Sequence, residues 1–289
     1  MMTIIPRGTR RLLDILIFSL ISFSLLSRAA GASDLGIIEN ADLYKNLSQW
    51  VLLDTRPKAE WLSGHIPGAL SFSWEDYTKT EGKEIQYSIK PPQDLANGLG
   101  KMGISENTPL VVYADDDKSW GAEGWGGWVL AWLGHKAPVR LLAGGIRSWK
   151  DKKLPLTLGT EKLIRTPGQY SYRLDAWANI STAEIAKQGK SLTLIDTRSS
   201  LEWITGRIPG AVHIEWTKFY AGAERRPLSA EALKKLLRDN DADLQRPVVY
   251  YCAAGVRSGL AWCVHQLAGL SPARNYAGGW EAWKKDSSK

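Results

Sequence analysis

Any cysteine chemistry in this chain of 289 residues has to come from one thiol, and one of its two cysteines sits where a thiol can react. Cys252 opens the string Cys252-Ala253-Ala254-Gly255-Val256-Arg257-Ser258, directly after the apolar run 248–251 and directly before a helical pattern over 258–267. A strand that turns through small residues into a helix gathers backbone N–H groups at one point, at the positive end of the helix dipole. A thiolate held there is stabilised and nucleophilic at neutral pH. Arg257 adds a fixed positive charge at the rim, while Ala253, Ala254 and Gly255 leave the approach open. Alone, Cys252 reads as a buried strand-end thiol; with the glycine, the arginine and the helix start beside it, it reads as a nucleophile. Cys263 lies inside the apolar helical stretch and reads as a small core residue. A disulfide between the two requires that they meet in space.

The elements that carry this loop belong to a unit that occurs twice. LLDTRPKAEWLSGHIPGALSFSW, ending at Trp74, returns as LIDTRSSLEWITGRIPGAVHIEW, ending at Trp216, and half of the aligned positions 51–74 and 193–216 are identical. PLVVYA at 109–114 returns as PVVYYC at 247–252, and AGGIRSWK at 143–150 as AGGWEAWK at 277–284. The order of the matches is kept, so these are duplicated domains rather than solenoid repeats. Short apolar runs predict strands at 51–53, 110–113 and 139–142, and again at 192–195, 248–251 and 273–276. Helical spacing falls at 93–102, 125–133, 230–239 and 258–267. The pattern is α/β, with each domain a parallel sheet covered by helices on both faces. Ligands on such sheets bind beyond the carboxyl ends of the strands, where Cys252 lies. The expected domains are 35–153 and 180–289, joined by a Pro- and Gly-bearing linker at 154–179.

Composition removes other classes of function. With 44% hydrophobic and 23% charged residues the chain is neither disordered nor fibrous. Two cysteines and the scattered His65, His135, His213 and His265 offer no zinc cluster. Three of the seven surplus positive charges fall in residues 1–32, and no basic run with interleaved aromatics follows, so no nucleic-acid partner is expected. Residues 1–32 read as a secretory signal peptide, with a basic stretch through Arg10 and Arg11, an apolar run from Ile15 to Leu26, and Ala30 and Ala32 as the cleavage pair. The apolar run is short of the about 20 residues that a membrane span needs. The mature protein is therefore expected to be exported, periplasmic or secreted, and to touch the membrane only through this segment. Of 14 tryptophans, the pairs Trp61/Trp203, Trp74/Trp216, Trp128/Trp262 and Trp149/Trp283 are duplicated and read as framework; the unpaired Trp120 and Trp125 read as a cleft lining.

The loop fits C-x-x-G-x-R-[ST] and resembles the active-site loop of the rhodanese family; LLDTR…GHIPGA and LIDTR…GRIPGA resemble that family's upstream signature in both copies. Nearly the whole mature chain thus resembles a tandem-domain rhodanese. The resemblance implies a sulfurtransferase: Cys252 takes the sulfane sulfur of an anionic donor, thiosulfate first among them, and passes it from a persulfide to cyanide or a thiol. It implies that the N–H groups of 253–258 hold the persulfide and that Arg257 binds the donor. Asp196 and Arg198 are assigned a supporting role, and their repetition as Asp54 and Arg56 points to a structural salt bridge. No cofactor and no metal are implied.

In the first copy Ala114 stands where the second has Cys252, followed by Asp115, Asp116 and Asp117. Three carboxylates repel an anionic donor, so this domain is expected to be silent and its loop solvated rather than metal-binding. The loop of the second copy has neither the lysine of thiosulfate-type members nor the Gly-Ser pair of mercaptopyruvate-type members, which leaves the donor open. Two alternatives stand beside the enzyme: a carrier that presents its persulfide to a protein acceptor, and a phosphatase of the same fold. Phosphatase loops are longer between Cys and Arg, to surround a tetrahedral oxyanion.

Overall fold

Apolar runs become strands and helically spaced segments become helices in the same order in both copies. The computed structural model describes residues 34–81, 85–161 and 165–287; the predicted signal peptide at 1–32 lies outside them. The first copy runs β1 (Leu35–Ile38), α1 (Asn40–Lys45), β2 (Val51–Asp54), α2 (Lys58–Ser63), β3 (Leu70–Ser71), a ribbon of β4 (Thr78–Glu81) and β5 (Ile85–Ile89), α3 (Pro92–Lys101), β6 (Leu110–Tyr113), α4 (Ala122–Trp132), β7 (Val139–Leu142) and α5 (Gly145–Asp151). The second runs α6 (Thr182–Gln188), β8 (Thr193–Asp196), α7 (Ser200–Ile204), β9 (Val212–His213), a ribbon of β10 (Tyr220–Ala221) and β11 (Arg226–Pro227), α8 (Ala230–Asp239), β12 (Val248–Tyr251), α9 (Val256–Leu267), β13 (Ala273–Tyr276) and α10 (Gly279–Ser287). Both main sheets are parallel, in the orders β1-β7-β6-β2-β3 and β13-β12-β8-β9. Among the described residues no helix is long and apolar enough to cross a membrane.

The second sheet has no strand equivalent to β1. The end of the linker takes that place: Asn179 bridges Asn275 in parallel, and Asn275 N–H donates to the Ala178 carbonyl at 3.1 Å. The described linker residues are tied to the first domain as well. Thr157 pairs with His65, Arg173 N–H donates to the Leu133 carbonyl at 3.0 Å, and Tyr170 is buried against His135.

Strand alternation divides the apolar side chains between two faces. On β6, Leu110 and Val112 enter a core shared with the second domain, while Val111 and Tyr113 pack on the outer face with Leu43, Ile146 and Trp149. On β12, Val248 and Tyr250 enter the shared core and Val249 and Tyr251 the outer one. Helices α4 and α9 lie in the shared core, and every residue of α4 is buried. Their contact is made on glycine: a Cβ on Gly124 would lie 2.2 Å from Leu260 Cα, and one on Gly259 3.0 Å from Trp125 Cα. Cys263 sits at this contact, with its Sγ 3.2 Å from the Gly124 carbonyl, and burial raises its pKa well above the ordinary thiol value. Both cysteines are free.

Replacing Gly124 by Ala pushes the two helices apart and is expected to lower stability by about 1–3 kcal/mol, the usual cost of overpacking. Gly168→Ala, where an added Cβ meets nothing within 4 Å, is expected to stay within about 0.5 kcal/mol. Denaturant unfolding of both variants checks this, and equal losses at the two positions would contradict the glycine contact.

Candidate active site

Strand β12 ends at Tyr251 and leaves Cys252, 1% exposed, at the mouth of the turn into α9. Gly255 has φ +86°, and a Cβ there would lie 2.7 Å from Ala277 Cα, so the turn both needs a left-handed residue and has no room for a side chain. The carbonyls of Cys252 and Ala253 accept from Trp280 and Glu281 N–H at 2.8 and 3.2 Å, which seats the loop on the start of α10. Gly255 N–H donates to Cys252 Sγ at 3.2 Å. Ser258 Oγ lies 3.6 Å from Sγ but 2.6 Å from Asn275 Oδ1, and the shorter contact takes the single hydroxyl hydrogen. Asn275 also donates to the Gly255 carbonyl at 3.1 Å. Among the described residues Gly255 supplies the one backbone donor that reaches Sγ. Ala253, Ala254 and Val256 line the cleft above the thiol.

The Asp-Thr-Arg strings form the same buried corner twice. Arg198 Nε donates to Asp196 Oδ1 at 2.9 Å and its Nη2 to the Gly206 carbonyl at 2.6 Å; Arg56 does the same to Asp54 and Gly64 at 2.9 and 2.8 Å. Thr197 N–H and Oγ1 both donate to the carbonyl of Tyr251, the residue before Cys252, at 2.8 and 3.0 Å. Asp196 and Arg198 thus hold the backbone beside the loop and do not line the cleft, as their repetition in the first copy implies.

The cleft over Cys252 has a volume of about 520 Å³ and walls from both copies. The second copy supplies Glu202, Arg257 and Glu281; the first supplies Trp74, Glu75, Tyr87 and Trp120. Trp120 belongs to the loop of the first copy that lacks the cysteine. Its ring lies 5.6 Å from the Arg257 guanidinium and stacks on Trp216 at 6.3 Å. The other expected lining residue, Trp125, is core: it is on α4, 1% exposed, with Phe72 5.4 Å away. Trp74, read as framework, lines the cleft instead, because it sits on a short turn after β3 rather than on a helix buried all round.

Arg257 does not offer a free charge. Its Nη1 and Nη2 donate to the two carboxylate oxygens of Glu202 at 2.7 and 2.8 Å, a bidentate pair. Glu202 is the third residue of a capping box on α7 and also accepts from Ser199 N–H and Oγ at 3.0 and 2.8 Å. Burial alone would raise its pKa, but the bonds to Arg257 and Ser199 outweigh that and hold it at about 2. Burial likewise opposes the charge of Arg257, and Glu202 with the neighbouring Cys252 outweighs it, so its pKa rises. Sequence reasoning missed Glu202, although Ser-x-x-Glu at 199–202 is a capping-box signature and the residue recurs as Glu60. Burial, the largest effect on Glu60, pushes its pKa up.

The acidic loop of the first copy is folded in rather than solvated. Asp116 is 3% exposed, and Asp115 pairs with Arg147 at 3.2 Å, because Ile146 N–H at the start of α5 binds the Ala114 carbonyl and draws the loop inward. Arg147 aligns with Glu281 of the second copy, so the two sites carry opposite charges at this position.

A carboxylate whose folded pKa is depressed stabilises the fold above its unfolded value and loses that contribution as pH falls through the folded one. Glu202→Gln should therefore be less stable than the parent by a constant amount above pH 4.5, and the two should converge between 4.5 and about 2. Denaturant titrations across that range test the pairing; a difference that persists unchanged at pH 2 would contradict it.

Residues 39–152 and 180–286 each match the rhodanese-like domain family. The chain is 32% identical over 240 residues to a probable 3-mercaptopyruvate sulfurtransferase of Pseudomonas aeruginosa, covering 77% of this chain and 82% of that protein. It is 30% identical over 248 residues to a protein of Thermus thermophilus named sulfur carrier protein TtuD, covering 76% and 82%. The crystal structure of SseA from Escherichia coli superposes with a TM-score of 0.74 at 20% identity, covering 86% of this chain and 99% of that one, and shows the same fold. With both halves matching one family and relatives of this identity along most of its length, the chain belongs to the rhodanese family as a tandem-domain sulfurtransferase.

Proposed function

We propose that Cys252 carries the transferred sulfur as a persulfide and that the second domain alone performs the chemistry. The thiolate attacks the transferable sulfur of a small anionic donor. With thiosulfate, the donor S–S bond breaks and sulfite leaves with its electron pair; with 3-mercaptopyruvate, the C–S bond breaks and pyruvate leaves as its enolate. A thiophilic acceptor, cyanide or a thiol, then takes the outer sulfur and restores the thiolate, a double displacement through a covalent intermediate. The observation that carries this reading is the placement of Sγ: it faces the cleft at the N-terminus of α9 with the Gly255 N–H on it, while Cys263 is sealed in the shared core. A helix start favours negative charge on the persulfide as on any anion. Arg257 meets the donor in competition with Glu202, so its part is to fix the wall of the site as well as to attract an anion. The first domain, with Ala114 at the equivalent place, is silent and builds the opposite wall. The carrier alternative has the name of the Thermus relative in its favour. The signal-like segment at 1–32 supports sulfur transfer outside the cytoplasm.

Intact-mass measurement after incubation with thiosulfate, and separately with 3-mercaptopyruvate, should show a gain of one sulfur atom that cyanide removes as thiocyanate. Cys252→Ser should abolish the gain and Cys263→Ala should keep it. A sulfur gain that survives in Cys252→Ser, or no gain with either donor, would overturn the assignment.

A further inference from the structure

We propose that the outer face of α7 and the turn after it, residues 201–210, dock an extended segment of a protein partner that carries two alternate apolar side chains and, three residues on, a carboxylate. The duplication shows what such a face binds, because in the first copy the linker lies along it as a strap. Thr157 N–H donates to the His65 carbonyl at 2.9 Å, and His65 N–H donates to the Thr157 carbonyl at 3.0 Å, an antiparallel bridge. Gly159 N–H donates to the Leu62 carbonyl at 2.8 Å. Leu156 and Leu158 close over Gly64, where an added Cβ would meet them at 3.9 and 3.5 Å. Glu161 completes the strap: its Oε2 accepts from Gly68 N–H at 2.7 Å and lies 4.0 Å from His65 Nε2.

Leu62, His65 and Gly68 align with Ile204, Arg207 and Gly210, and no described residue takes the strap's place there. The N–H and carbonyl of Arg207 and the N–H of Gly210 have no hydrogen-bond partner among the described residues, and the Arg207 side chain has no carboxylate partner among them. His65 and Trp61 are buried beneath the strap, whereas Arg207 is exposed and Trp203 part-exposed. Ile204 is 71% exposed against 37% for Leu62, and Leu201, where the first copy has Ala59, adds a second aliphatic at 70%. Trp280, in place of Ile146, reaches over Gly206 and gives the face a part-exposed aromatic floor.

Open backbone groups at an exposed edge accept an added extended chain, and flanking apolar side chains select its alternate residues. Charge complements the shape. The Arg207 guanidinium lies 4.5 Å from the Trp203 ring, as His65 stacks on Trp61 at 4.4 Å, so a fixed positive charge stands where Glu161 meets the first copy. The chain's own segment of this kind is already seated on its first domain, which leaves another protein to supply the one for the second. Glu202, on the same short helix as Leu201 and Ile204, lines the cleft, so a partner docked here is held at the edge of the cleft over Cys252.

The probe is an end-blocked peptide of residues 155–161, titrated calorimetrically into full-length protein and located by amide hydrogen exchange. Saturable binding is expected, with exchange slowed in 204–210 and unchanged in 62–68, where the linker already holds the backbone. The double variant Leu201→Ser, Ile204→Ser and, separately, Arg207→Glu should each weaken binding by about three- to tenfold. A peptide with Glu161→Gln should bind the parent and Arg207→Glu nearly alike, which ties the effect to that charge pair rather than to misfolding. No binding, binding that the variants leave unchanged, or slowed exchange at 62–68 instead overturns the proposal. A dimer of the parent that the double variant dissociates also overturns it, since the face would then belong to a second copy. Sulfur transfer plays no part in these readouts, so they stand or fall apart from the persulfide reading.

Discussion

The close crossing of α4 and α9 is the constraint on which the rest of the molecule depends. Glycines at 124 and 259 let the two backbones approach to a distance that any Cβ would forbid, and Gly121 continues the contact against Leu260. Since α4 follows the loop of the first copy and α9 follows the loop of the second, the crossing brings the two loops together. Trp120, one residue before Gly121, is thereby carried onto Arg257. A cleft walled from both domains is the consequence. The first domain has no thiol at its own loop, yet without it the second would present Cys252 on an open surface with one wall missing.

Duplication followed by divergence explains the charges. Both copies keep the Asp-Thr-Arg corner, which serves the fold: it ties the strand end to the following turn by backbone carbonyls and is indifferent to the chemistry nearby. Side chains facing the two loops have diverged. The first copy has aspartates in the loop and Arg147 on α5; the second has alanines in the loop and Glu281 at the aligned position. Glu60 and Glu202 are the same residue in the same place, but Glu202 is hydrogen-bonded to an arginine while burial dominates at Glu60, and their pKa values move in opposite directions. Each copy also leans on the other: β5 runs against α10, and Arg226 of the second ribbon pairs with Glu39 of the first domain.

Much of this was legible in the sequence because it depends on local pattern. Central strands buried on both faces are unbroken apolar runs, so they stood out; β1, a part-buried edge strand with a glycine, did not. The Cys252 loop was legible because a tight strand-to-helix turn needs small residues and a glycine in fixed order. The cleft wall was not, since nothing in the spacing of Trp74 or Tyr87 says that the first copy faces the second. Trp125 misled for a related reason. Lack of a duplicated partner reports on ancestry, and burial depends on which helix faces turn inward. Glu202 could be read as a cap, but its partner lies 55 residues away and only the fold brings them together.

That distant pairing changes what Arg257 can mean. An arginine four residues after Ala253 in a catalytic loop reads naturally as an anion receptor, and as a free side chain it would be one. Once a carboxylate takes both ends of its guanidinium in a half-buried setting, the pair contributes shape and rigidity while its net charge vanishes. Attraction for a sulfur anion is then shared between the neighbouring Arg257 and the backbone, the Gly255 amide and the dipole of α9. These act over a short range and do not distinguish one small anion from another. Discrimination among substrates has to arise farther out, where the side chains of the first domain form the rim, and this gives the copy without a nucleophile a physical reason to be retained.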